Sequence, residues 1–288
     1  SSFFIFRKKL EKHYKDNLKF NRNIIKKIYY IIKIFKNQLT SYTKYKLKSL
    51  SLRTYEGIIP HINTEKENLL RNYKVLSSSI LKIKKPIDLD HFYPLNKNDI
   101  SENLNFSLDS KYILQVTNFF DTKGCEKIIE ILPKLLKHYP NLKLILVGDG
   151  PEKHKLQTLS HEKNLNDYIF FAGYILNSEL IYYYNLADVF VLLTDRKNDE
   201  GEANVLLESL ACNTPVITTN IPGPAALINN GLGFLIHPNS NKELYNSLVE
   251  ILEGNFSLDN NEVLKVLNDY SLPSVGKSLK SAFTKSII

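Results

Sequence analysis

Two glutamates eight positions apart frame the stretch of this sequence whose residue types and spacing best suit a specific chemistry. They are Glu200 and Glu208 in EGEANVLLE, residues 200–208. The first falls in a loop, and the second on a helix that opens near Asn204. A helix N-terminus offers an anion free backbone N–H groups and a favourable dipole. A diphosphate seated there would have a carboxylate on either side of it, each able to accept hydrogen bonds from hydroxyls. A nucleotide sugar, with sugar hydroxyls at both ends and phosphates between, has that form. By itself the pattern is also that of a helix whose early acids simply pair with its dipole.

The elements that must position these groups alternate along the chain from residue 111 onward. Apolar runs at 113–116, 142–147, 169–171, 189–193, 215–219 and 233–236 read as strands. Helices are expected between and after them, over 123–138, 151–163, 178–185, 204–212, 225–229 and 242–252. The runs are continuous rather than alternating, as in parallel strands covered on both faces. Strand–helix alternation of this kind predicts a doubly wound α/β domain of Rossmann-like type. Ligands of such sheets bind outside the carboxyl ends of the strands. Small and polar residues collect there: TNFFDTKG (117–124), GDGP (148–151), TDRKNDEGEAN (194–204) and NIPGP (220–224). The GxG of Gly148-Asp149-Gly150 is no dinucleotide fingerprint, because the third glycine position holds Lys153. It reads as a tight turn.

Residues 1–53 have a different character. They carry 15 Lys/Arg against Glu11 and Asp16, whereas the rest of the chain carries 23 basic and 28 acidic side chains. The net charge of +8 therefore hides a strongly basic end, which points to an interaction surface. Residues 24–35 (IIKKIYYIIKIF) suit either an anionic membrane surface or a helix packed on another domain. Their aromatics sit among aliphatics, and nucleic acid is not expected as a partner. Residues 55–64 read as a strand and 65–72 as a helix, and 86–95 (PIDLDHFYPL) as a linker at a domain boundary. The length of 288 residues suits about two domains. Cys125 and Cys212 form no disulfide framework or metal spacing, in keeping with a reducing cytoplasm. With no Met anywhere, the sequence is expected to be a fragment of a longer protein.

Between residues 78 and 252 the chain resembles the donor domain of glycosyltransferase family 4, the group 1 glycosyltransferases of GT-B fold. Five motifs carry the resemblance: IKKPIDLDHFYP, VTNFFDTKG, LILVGDGPE, FFAGYI with SELIYYYNLADVFVLLT, and EGEANVLLESLACNTPVITTNIPGPAALI. It implies three divisions. Residues 1–92 would be a remnant of the amino-terminal, acceptor-side domain with the interdomain linker. Residues 93–270 would be the nucleotide-sugar domain, and 271–288 the carboxy-terminal crossover helix. It also implies roles. Glu208 would accept from the ribose hydroxyls, and Glu200 would face the transferred sugar. Backbone N–H groups of Asn204 and Val205 would meet the diphosphate, with Lys123 as its cation. Gly173, Tyr174 and Ile175 would grip the base, and Gly148 would line the donor site. Glu200 and Lys123 would be the catalytic pair.

The sequence also departs from the family's pattern. Asn118 stands where an arginine is usual, Ala203 where a glycine is common, and Pro222-Gly223 where Gly-Gly is common. None of His13, His61 or His91 sits in the motif of the family's sugar-facing histidine. The resemblance implies a retaining transfer from a nucleotide sugar to a glycan or lipid-linked acceptor in cell-surface polysaccharide or glycolipid synthesis, with UDP favoured over GDP as the commoner donor base. No metal is expected, because no Asp-x-Asp pair stands in a suitable loop and Asp88-Leu89-Asp90 lies in the linker stretch. No cofactor is expected. The expected location is cytoplasmic, peripheral at the inner face of the cell membrane. Two alternatives stay open: a non-catalytic nucleotide-sugar-binding scaffold, and a nucleotide-sugar 2-epimerase on the same architecture.

Overall fold

A computed structural model describes residues 63–77, 80, 83–194, 204–228 and 231–285. The basic stretch 1–53 with its residues 24–35, residues 55–62 of the strand expected over 55–64, His13, His61, Glu200 and Ala203 lie outside them; Asn63 and Thr64, expected to end that strand, instead open a helix. The chain divides into two compact units, one of residues 1–58 and 68–80 and one of 59–67 and 81–288. Helix α1 (Asn63–Arg71) runs across that division in sequence.

The second unit is built on six parallel strands: β1 (Lys111–Val116), β2 (Leu142–Val147), β3 (Ile169–Gly173), β4 (Val189–Leu192), β5 (Val216–Thr219) and β6 (Gly233–Ile236). Their order in the sheet is β3-β2-β1-β4-β5-β6. Register is regular between β1 and β2, from Lys111 against Leu142 to Val116 against Val147. The central strands bury nearly every side chain, as their unbroken apolar runs require.

Helices cover both faces. On one face lie α5 (Leu180–Leu186), α6 (Asn204–Ala211) and α9 (Asn260–Tyr270), whose Leu180, Leu206 and Val263 share a core with Leu114 and Phe190. Helix α2 (Lys97–Leu104) and the short α7 (Pro224–Leu227) add Ile100 and Leu227 to it. On the other face α3 (Cys125–Leu136), α4 (Lys153–Glu162) and α8 (Asn241–Leu252) pack on Ile113, Leu144 and Val191. The chain then enters α10 (Leu272–Lys285).

Several expectations shift. Residues 86–95, read as a linker, are packed: Ile87 and Phe92 are 4% and 3% exposed, within the same core as β1 and β4. Ile87 also bridges to Ser271, at the head of α10. The helix expected from 151 starts at Lys153, because Glu152 N–H is drawn back to Phe119 O at 3.0 Å. The helix expected from 123 is broken by Gly124 at φ +63°, so Lys123 closes a separate 3₁₀ turn, Asp121–Lys123. Helices α2 and α9 were not anticipated. Their caps are legible in hindsight: Asn96 accepts from Asn98 N, and Asp259 accepts from Asn261 N and Glu262 N. Among the described residues no helix is long and apolar enough to cross a membrane.

Candidate functional site

The strand order reverses between β1 and β4. Helix α3, next after β1, packs on one face of the sheet, and α6, next after β4, packs on the other. Such a switch point opens a crevice at the carboxyl edge. Most of the candidate positions gather along that edge.

The loop after β1 is fastened to its neighbours by backbone hydrogen bonds. Thr117 N–H donates to Val147 O, Phe119 N–H to Asp149 O, and Gly148 N–H to Gly173 O at 2.7 Å. Three candidate positions, Asn118, Gly148 and Gly173, thus sit in one hydrogen-bonded frame. Gly148 has φ +134°, and a Cβ there would lie 1.8 Å from Thr117 O. Only glycine allows these two loops to come so close. Asn118 itself is exposed.

The turn that ends in Lys123 is held from beneath. Gln115, fully buried on β1, donates Nε2–H to Lys123 O at 2.8 Å. Gly124 lies against Leu193 at the end of β4, where a Cβ would meet Leu193 Cβ at 2.6 Å. The Lys123 side chain is half-buried, and its ammonium is held below the usual lysine range by desolvation. A bound anion would restore what burial removes from its charged form. Next to it the Cys125 thiol is pushed up to about 12 by burial, so it stays protonated and is no nucleophile.

At the end of β3, Gly173 takes φ +69° with open space where a Cβ would stand. Tyr174 is 74% exposed, and Ile175 packs on the core. A backbone-lined ledge with a free aromatic face beside it suits a planar base.

Beyond β4, α6 begins at Asn204. Among the described residues nothing donates to the buried Oδ1 of Asn204. One turn further in, Glu208 is 7% exposed, with the OH of Tyr184 donating to its Oε2 at 2.9 Å. Burial pushes this carboxyl up to about 7, and the tyrosine hydrogen bond pulls the other way. A carboxylate kept inside a core with one hydrogen bond is expensive, and such sites are candidates for function. Residues 204 and 208 lie one helical turn apart, so both occupy one side of α6.

Tyr184 and Gln115 did not stand out in the sequence. Tyr184 is one of three consecutive tyrosines, and only the sheet packing sets it apart as fully buried while Tyr182 is 38% exposed. The signal for Gln115 was available: a lone amide in the apolar strand KYILQV.

The fold agrees with what the chain is similar to. Glycosyl transferases group 1 match residues 96–265, more than half the chain, and the protein belongs to that family. It is 27% identical over 187 residues to the alpha-monoglucosyldiacylglycerol synthase of Acholeplasma laidlawii, an alignment covering 65% of this chain and 44% of that protein. The chain thus spans about half the length of the curated relatives it matches. Among solved structures, HepE of Anabaena in complex with UDP and glucose superposes with a TM-score of 0.70 at 17% identity, over 85% of this chain and 68% of that one. The carboxy-terminal domain of the group 1 protein LpcC of Francisella tularensis superposes with a TM-score of 0.57 at 23% identity, over 65% of this chain and 99% of that domain. These likenesses establish the GT-B-type α/β architecture.

Proposed function

We propose that this chain is the nucleotide-sugar-binding half of a glycosyltransferase that moves a sugar from a UDP-sugar to a glycan or lipid-linked acceptor, with retention and without a metal. The observation that carries this reading is the buried Glu208, one turn below the start of α6 at the switch point. A carboxylate there accepts the ribose hydroxyls while the N–H groups of Asn204 and Val205, in the first turn of α6, take the diphosphate. Lys123, reaching the same edge from the β1 side, neutralises charge that builds on the departing nucleotide. Gly173 and Ile175 offer backbone to the base, with Tyr174 beside them. Glu200, the residue assigned to the transferred sugar, lies outside the described residues.

UDP is favoured because HepE was solved with it. A lipid-linked acceptor is favoured by the glycolipid named in the Acholeplasma relative. The basic residues 1–53 suit a peripheral place at the inner membrane face. One observation favours a second reading, a nucleotide-sugar-binding scaffold without turnover: Asn118 leaves Lys123 without the arginine usual in the family.

Calorimetric titration of the chain with UDP and with GDP, both in EDTA, tests the proposal. UDP is expected to bind, and Glu208→Ala to abolish the heat. Lys123→Ala is expected to weaken UDP binding on the order of 10- to 100-fold, the range for a lost hydrogen bond to a charged group. It should also reduce the dependence of binding on salt. A folded chain that binds neither nucleotide would sink the donor-site assignment. Binding only without EDTA would sink metal independence.

A further inference from the structure

The ring of Tyr184 is locked in place. It lies on α5, fully buried, edge-on to Phe92 at 6.0 Å and to Phe190 at 5.4 Å between centroids. Its backbone carbonyl accepts from Thr214 Oγ1 at 2.7 Å, just past the end of α6. With ring and backbone both fixed, the phenol oxygen is fixed too, and it meets Glu208 Oε2 at 2.9 Å. Among the described residues it is the one donor to that carboxylate.

We propose that Tyr184 is a positioning residue of the donor site: its hydroxyl occupies Oε2 of Glu208 and leaves Oε1 to the ribose hydroxyls of a nucleotide. This rests on the reading of Glu208 as the ribose acceptor. A carboxylate has room for several donors, and a free carboxyl at the end of a three-bond side chain would sample several rotamers. The tyrosine selects one of them. It also stabilises the ionised form, the form that accepts from two hydroxyls at once.

Among the described residues the surroundings leave that task to the tyrosine. Burial raises Glu208 to about 7, and the Tyr184 hydrogen bond is what opposes it. Tyr184 itself is pushed well above the usual tyrosine range by burial. Cys212, at the end of α6, is pushed up to about 12, so both stay neutral at ordinary pH. Strands β4 and β5 bring Phe190, Leu192, Val216 and Thr218 to this core, and α9, packed on α6, brings Val263, Leu267 and Tyr270.

UDP titrations of the full chain from pH 6 to pH 9 test the assignment. They compare wild type, Tyr184→Phe, and a chain carrying 3-fluorotyrosine at position 184, each checked for fold by near-UV circular dichroism. Loss of the hydroxyl is expected to weaken binding about fivefold at pH 7 and far less at pH 9, with the midpoint moved up by about one pH unit. Fluorination acidifies the phenol without changing its shape. It is expected to move the midpoint down, which keeps the assignment testable if Tyr184→Phe does not fold. Midpoints unmoved in the folded chains, or a loss equal at every pH, overturn the positioning role and leave Tyr184 as core packing. A wild type that binds no UDP overturns the donor-site reading, and this inference with it.

Discussion

Glu208→Gln is expected to give a protein that is more stable above neutral pH and no longer binds UDP. The carboxyl rises from 4.5 to about 7 because burial disfavours its charge. Below about pH 4.5 the group is protonated both folded and unfolded, and nothing is lost. Between there and 7 the folded protein holds a proton that the unfolded chain has released, so stability falls as pH rises. Above 7 the loss is complete, and a shift of this size corresponds to roughly 3 kcal/mol. Glutamine has the same shape, keeps an acceptor for the Tyr184 hydroxyl, and does not titrate. Urea midpoints should therefore fall from pH 5 to pH 8 more steeply for wild type than for the variant, with equal denaturant slopes. At pH 8 the variant should be the more stable by up to about 3 kcal/mol. UDP binding responds with the opposite sign: it strengthens as pH rises through 7, because ribose hydroxyls donate to the carboxylate. A residue that weakens the free fold and is needed only with ligand present marks a site rather than a core. Parallel stability profiles for the two proteins would show that the carboxylate is well solvated, and would remove the argument for function from burial.

Much of this arrangement was legible because strands between two helical layers must be apolar throughout. Runs such as LKLILV and DVFVLL leave little choice, and all six strands fall within a few residues of their expected places. The candidate site was legible where chemistry is local: a helix from Asn204 with an acid one turn on needs no tertiary knowledge. What was not legible depends on neighbours distant in sequence. Pro86 and Pro94 suggest a linker, but Ile87 and Phe92 find partners on strands and helices far along the chain and become core. Lys123 reads as a helix start until Gly124 at φ +63° and the amide of Gln115 fold it into its own turn. Tyr184 is indistinguishable from Tyr182 and Tyr183 until α5 docks on the sheet and turns one hydroxyl toward Glu208. Helix α9 was missed although Asp259 and Glu262 carry its start signal, because its mixed composition, NNEVLKVLNDY, hides an apolar stripe of Val263, Leu267 and Tyr270.

Gly148→Ala is expected to damage the protein far more than its surface-loop position suggests. The GDG motif reads as a turn that a small residue could replace. In the fold, the missing side chain of Gly148 is what lets the β2 loop touch the β1 loop. A methyl there would sit 1.8 Å from Thr117 O, a backbone atom that cannot swing away, on a backbone at φ +134°. To admit it, the loops must part, breaking at least one of the Thr117–Val147, Phe119–Asp149 and Gly148–Gly173 hydrogen bonds. The expected loss is on the order of 4 kcal/mol or more, the upper tail for a single substitution. Gly173→Ala isolates the conformational part of that cost. Gly173 also has positive φ, +69°, but nothing lies within 4 Å of where its Cβ would stand. Its loss should be only about 1 kcal/mol, the ordinary strain of an L-residue in the left-handed region. Urea unfolding of the two variants beside wild type separates steric overlap from backbone strain. The Gly148 variant, if it folds at all, should also lose UDP affinity, since the frame that carries Asn118 and leads into the Lys123 turn has moved. Equal and small losses for both glycines would mean that the β1 and β2 loops separate freely, and that this edge of the sheet is not the rigid wall a diphosphate site requires.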